Sequence, residues 1–337
     1  MKKTLNLSVL ILIVLMSIGM ALGCSSKQPK TSDPSGSEAP GTKHKVALIL
    51  SGPVSDMSWN ATAYNGLKEI EKLGAEIAYQ ENVDNSSLAD VINNYATGGY
   101  DLIFLSTNGY EDIGLKEAKN YPDVTFFIIN GATTVDNVIS VQVADEQQGF
   151  LMGAISALVA GEGQVGFVGG MEITPIINGS AGFEAGAKHV NESIAINSAM
   201  TGSMTDVNAA KETAKAMVGK GVTAISPMAD NASLGVLEAA EEAGIFAVAS
   251  GLNQETVAPK AVIIAVVKDT AIAYKAAYQD YISGNLPKET KKMGATEGVV
   301  FLSDWYEAAS ALNQETKDAV KALYDDMAAG KITVEIP

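Results

Sequence analysis

The sequence predicts an α/β protein of two lobes, each built on a doubly wound parallel sheet. Three observations predict it. Apolar, β-branched runs recur at fairly even spacing, most are separated by segments of helical periodicity, and several of those segments end in glycine, as helix C-termini often do. Continuous apolar strands alternating with helices argue for parallel sheets covered on both faces. About ten such units are present, more than one ordinary open sheet needs.

Taken in order, KVALIL at 45–50 predicts the first strand and YNGLKEIEKLG at 64–74 a helix behind it. SLADVINNYATGG at 87–99 repeats the helical spacing. DLIFLST at 101–107, VTFFIIN at 124–130 and NVISVQV at 137–143 predict three more strands, followed by the helix GFLMGAISALVAG at 149–161. QVGFVGG at 164–170, VTAISPM at 222–228, IFAVASG at 245–251 and AVIIAVV at 261–267 predict a second set of strands. Helices AAKETAKAMVGKG and LGVLEAAEEAG lie among them. GEGQVGFVGG, from Gly161 to Gly170, reads as the first crossing between lobes. Residues 45–160 are then the N-terminal lobe and 161–337 mainly the C-terminal lobe.

The residues before 45 have a different character. Lys2 and Lys3 precede the apolar run LNLSVLILIVLMSIGMALG, which makes 1–23 a secretory signal segment. The alternative is a permanent transmembrane anchor, since the run is almost long enough to span a bilayer. Cys24, the only cysteine, follows the small residues Ala21 and Gly23. This resembles a bacterial lipobox, although alanine is less usual than leucine three residues before the cysteine. The resemblance implies cleavage before Cys24 and lipidation of its thiol. Several acyl chains on one residue would anchor the protein stably to a membrane. Residues 24–44, rich in Ser, Pro, Gly and Lys, read as a disordered tether. The expected location is extracytoplasmic, on a lipid anchor.

Charge narrows the partners. The chain carries −16, and five lysines against Asp33 and Glu38 put +3 on residues 1–44, leaving −19 on the rest. A domain so acidic does not bind nucleic acid or anionic lipid by charge. All 23 basic residues are lysine, so the bidentate fork favoured for phosphate and carboxylate ligands is missing. Predicted strand ends such as Ser51-Gly52, Ser106-Thr107-Asn108 and Ser250-Gly251 are small, neutral and hydrogen-bonding. Ligands of open parallel sheets bind beyond such ends, which suits a polar, uncharged small molecule. Nothing points to an enzyme, a cofactor or a metal. Two histidines and a single cysteine build no zinc site, serine triad or thiol nucleophile.

KVALILSGPVSDMSWNATAYNGL, YDLIFLSTNGYEDIGLKEAKNYPDVTFFIING, DEQQGFLMGAISALVAGEGQVGFVGG and GFEAGAKHVN together resemble the basic membrane protein family, in collinear order from Lys45 to Asp304. These are lipid-anchored substrate-binding proteins of ABC importers, and the best understood members bind purine nucleosides. The resemblance implies a type I periplasmic-binding fold, with three hinge crossings and a C-terminal return segment completing the first lobe. It also implies an ABC permease as partner. A surface lipoprotein with a regulatory or signalling role is the alternative, as is a receptor for another neutral heterocycle or a sugar.

The family's first-loop motif falls on Asp56, Ser58, Trp59 and Asn60, which makes Trp59 the aromatic that stacks on a purine and Asn60 a partner for its edge. The structural alternative makes Asn60 a helix N-cap, with Trp59 and Tyr64 forming a hydrophobic staple. Asn108, Tyr110 and Glu111 match a loop that supplies polar contacts, or form an ordinary strand-end loop. Asp230 matches a cleft-side acid, or caps a helix. Lys268 matches the family's ligand-binding lysine, or is a solvated strand end. Two departures stand out. The family's arginine aligns with Asn178 and its second stacking aromatic with Gly179. The aspartate that holds ribose hydroxyls falls on Gly251, with Asn253 two residues later.

Overall fold

The computed structural model describes residues 43–336 apart from Met57. The signal segment, Cys24 and nearly all of the tether lie outside the described residues. His44, assigned to the tether by the sequence, belongs to the fold: its ring packs edge-on against Tyr281, centroids 5.1 Å apart, and its carbonyl accepts from Glu76 N.

Two six-stranded sheets form the two lobes. The first runs β11-β5-β4-β3-β1-β2, from β1 (Lys45–Ile49), β2 (Glu76–Gln80), β3 (Leu102–Leu105), β4 (Thr125–Ile129), β5 (Val138–Val143) and β11 (Lys291–Met293). All its pairings are parallel. Alternate residues of the central strands feed two different cores. Val46 and Leu48 of β1 pack with Phe104 and Phe127 on one face, while Ala47 and Ile49 pack with Phe126 and Ile128 on the other. Burial on both faces is why these segments read as unbroken apolar runs. The second sheet runs β12-β10-β9-β8-β6-β7, from β6 (Gln164–Gly169), β7 (Ile196–Met200), β8 (Val222–Met228), β9 (Phe246–Ala249), β10 (Val262–Lys268) and β12 (Val300–Leu302). Only β12 is antiparallel to its neighbour.

The helices are α1 (Trp59–Lys72), α2 (Leu88–Thr97), α3 (Glu111–Ala118), α4 (Asp145–Val159), α5 (Thr174–Val190), α6 (Val207–Val218), α7 (Ser233–Ala243), α8 (Thr270–Ile282) and α9 (Gln314–Ala328). The chain crosses between lobes three times: from β5 to α4, from β10 to α8, and from β11 to β12. The first crossing therefore lies near residue 144, not at Gly161–Gly170. Helix α4 belongs to the second lobe, where Phe150, Leu151 and Ile155 share a core with Phe167 and Phe183. Gly161–Gly170 is instead a short turn, with Gly161 at φ +62°, followed by β6 itself. The return segment, α8 and β11, completes the first lobe: Tyr274 and Tyr278 of α8 join its core.

Two features bind the second lobe and its crossings together. Helices α4 and α5 touch backbone to backbone through glycine: a Cβ at Gly149 would sit 1.9 Å from Gly179 O, and one at Gly186 1.9 Å from Phe150 O. The first turn of α4, Asp145-Glu146-Gln147-Gln148, ties every crossing together. Asp145 pairs with Lys268 and accepts from Asn130 Nδ2 at 3.2 Å. Glu146 pairs with Lys292 at 2.8 Å, and Gln147 Oε1 accepts from Ala295 N at 2.8 Å. Two carboxylates at a helix N-terminus also complement its dipole.

Candidate functional site

The loop before α1 is organised by Asp56. Its carboxylate accepts from the backbone N–H groups of Ser58, Asn60 and Ala61 at 2.8–2.9 Å, and from Asn60 Nδ2 at 2.8 Å. One side chain thus satisfies donors that the first turn of a helix leaves without intrahelical partners. Asn60 is buried, and its Oδ1 accepts from Gly52 N at 3.2 Å. Asp56 and Asn60 are therefore spent on the loop, and neither lines the cleft between the lobes. Helix α1 starts at Trp59 itself, so Asn60 is not the N-cap. The staple is also not formed: Tyr64 packs on Tyr79, centroids 4.9 Å apart. Trp59 instead donates from Nε1 to Ser106 O at 2.7 Å, a bond that sets the plane of the indole beside the cleft.

The cleft encloses about 220 Å³. Ser58, Trp59, Thr62 and Asn65 face it from the first lobe, and Met228, Asp230, Gly251, Asn253 and Lys268 from the second. Two contacts bridge it. Ser58 Oγ donates to Asp230 Oδ1 at 3.1 Å, and Lys268 Nζ stands 5.2 Å from the centroid of the Trp59 ring. Lys268 is 12% exposed and paired with Asp145, which is 4% exposed; it is not a solvated strand end. Burial pushes the Asp145 carboxyl upward and the Lys268 ammonium pulls it back. Burial, reinforced by the charge of Asp56, pushes Asp230 from 3.8 up to about 6. Asp230 also holds a left-handed backbone, φ +43°.

The remaining predicted residues separate. Tyr110 is 1% exposed and its hydroxyl donates to Val83 O, so it is a core residue and not a cleft contact. Asn108 opens the short turn before it, its Oδ1 accepting from Thr107 Oγ1 at 3.3 Å, away from the cleft. Glu111 is consumed by Ala132 N and Thr133 N. Asn178 lines a separate recess of about 30 Å³ with Asn130, Asp145 and Lys292. Gly179 is not a gap left by a missing aromatic. A Cβ there would fall 2.4 Å from Met228 Sδ, so the Met228 thioether fills that volume and forms part of the cleft wall.

Sequence reasoning missed Thr62, Asn65, Asp145, Gln148, Met228 and Asp269, of which all but Asp145 line the cleft. The run DEQQ directly after an apolar strand was the available signal for two of them. Asp269 caps α8 by accepting from Ala271 N at 2.9 Å. Gln148 donates from Nε2 to Ser250 O at 3.1 Å and Val266 O at 2.8 Å.

A family model described as ABC transporter substrate-binding protein PnrA-like matches residues 43–335. Basic membrane protein A of Borreliella burgdorferi is 31% identical over 301 residues, covering 87% of this chain and 86% of that protein. A purine-binding protein of Brucella abortus is 28% identical over 287 residues, covering 83% and 81%. An ABC transporter solute-binding protein from Aeropyrum pernix has a TM-score of 0.76 at 23% identity, covering 87% of this chain and 94% of that one. One from Conexibacter woesei gives 0.73 at 22% identity, covering 87% and 99%. The two structures share the periplasmic-binding architecture, two α/β lobes around a cleft.

Proposed function

The chain belongs to the PnrA-like family of ABC transporter substrate-binding proteins, and from that premise we propose that it captures a neutral, purine-like solute, a nucleobase or nucleoside. The lobes close on the ligand about the three crossings, and an ABC permease receives it. Cys24 would carry the lipid anchor that keeps the receptor outside the cytoplasm and close to that permease.

The observation that carries this reading is the Trp59 indole, fixed by its bond to Ser106 O at the wall of the cleft. Stacking of a base on such a ring contributes about 1–3 kcal/mol. The volume, about 220 Å³, lies below the roughly 300 Å³ at which drug-sized sites begin, which favours a compact ligand. The pairing of Lys268 speaks against an anionic ligand. Lys268, the cation lining the cleft, is already neutralised by Asp145, so an anionic ligand would find no free counter-charge there. The Brucella relative named for purine binding points the same way.

The test is a thermal-shift screen of adenine, guanine, hypoxanthine, their nucleosides and neutral sugars. Purines are expected to raise the melting temperature in a concentration-dependent way. Trp59→Ala is expected to weaken the best purine about tenfold or more, since about 1.4 kcal/mol is a factor of ten, with an unchanged circular dichroism spectrum. A shift by sugars alone, or full affinity in Trp59→Ala, would overturn the reading.

A further inference from the structure

Gln148 has a polar atom that neither the hinge nor the stacking platform uses. It is 2% exposed, lies in the first turn of α4 and lines the cleft. A primary amide has two N–H donors, and both are committed, to Ser250 O and Val266 O. Two carbonyls on one end of the amide also fix which end is nitrogen. Oε1 accepts no hydrogen bond from the described residues, yet it is not among the sealed, unpartnered polar atoms. It therefore opens onto the cleft as an acceptor of fixed position.

We propose that Gln148 is a specificity-determining residue: its Oε1 requires an N–H or amino donor on the ligand edge that reaches the cleft floor. The inference rests on the purine reading and narrows it to purines that present such a donor. The surrounding groups agree with it. Asp230 and Asp269 add carboxylate acceptors to the same walls, while the Lys268 ammonium is engaged by Asp145. A ligand without the donor would leave Oε1 stripped of water and unpartnered when the lobes close, which is how a polar site rejects a near-isostere.

The experiment titrates adenine, guanine and hypoxanthine, and their singly N-methylated derivatives, into the full chain by calorimetry. In the wild type, methylating one particular nitrogen should weaken binding at least tenfold. Gln148→Met removes the acceptor; Gln148→Lys removes it while keeping donors for both carbonyls. In either variant the penalty should fall to about threefold or less, whereas a purely steric penalty would persist. In the wild type, the resonance of the Gln148 side-chain carbonyl carbon should move with the unmethylated purine and not with the blocked one, a readout independent of how well the variants fold. Purines that bind without any tenfold position, a penalty unchanged in the variants, or an unmoved resonance would overturn the inference and leave the purine reading intact. Failure of every purine to bind would overturn both.

Discussion

Replacing Asp230 by Asn should make the protein more stable at neutral pH. The Asp230 carboxyl is held at about 6 against an ordinary value of 3.8, by burial first and the Asp56 charge second. A shift of about two units corresponds to roughly 3 kcal/mol, trimmed to about 2–3 kcal/mol because the side chain is partly exposed to the cleft. The sign follows from the direction of the shift. A folded value raised above the unfolded one gives stability that is complete below about pH 4 and lost as pH rises through about 6. Asparagine cannot ionise, keeps an oxygen for Ser58 Oγ, and tolerates the φ of +43°. Urea unfolding across this range should therefore show the variant gaining on the wild type between about pH 4 and 6, then holding a constant lead of about 2–3 kcal/mol. An offset independent of pH, or a variant weaker at pH 7, would refute the reasoning. A stability loss carried by the wild type at its cleft is a familiar cost of function.

Other substitutions test the remaining assignments. Tyr110→Phe leaves Val83 O without its donor and should cost about 1–3 kcal/mol in urea unfolding, with purine affinity unchanged by calorimetry; weakened binding would return Tyr110 to the cleft. Lys268→Met strands a buried Asp145 and should cost about 3–5 kcal/mol, most of it recovered by adding Asp145→Asn. Gly149→Ala drives a methyl to 1.9 Å from Gly179 O, so α4 and α5 must part. A loss of about 1–3 kcal/mol or more is expected, and an unchanged melting temperature would disprove the close contact.

The strands that were legible in the sequence are those buried on both faces, because burial writes an unbroken apolar run. The four that were not are β2, β7, β11 and β12. β2 (EIAYQ) and β7 (INSAM) are outer edges with solvent on one side, so their patterns are mixed. β11 and β12 span three residues each, and long-range pairing defines them. The first crossing was misplaced because α4 is buried around most of its surface, which leaves no polar face to show which lobe it serves. At the site, a family-like loop pointed to Trp59, which lines the cleft, but could not separate residues that face the cleft from those that hold the loop. Asp56 and Asn60 spend their polar atoms within the loop, while the Trp59 ring lines the cleft. Asp145 and Gln148 act through partners more than 100 residues away in the chain, a relation that local pattern does not encode.

Trp59 and Trp305 are the only tryptophans in the chain, and they occupy very different surroundings. Trp59 stands in the cleft under Lys268; Trp305 packs against the core of the second lobe, with Lys317 Nζ 5.9 Å from its ring. The protein thus carries its own optical reporter. With Trp305→Phe and excitation that spares the tyrosines, all tryptophan emission arises from the cleft wall, so stopped-flow fluorescence can follow events at that wall in real time without an attached dye.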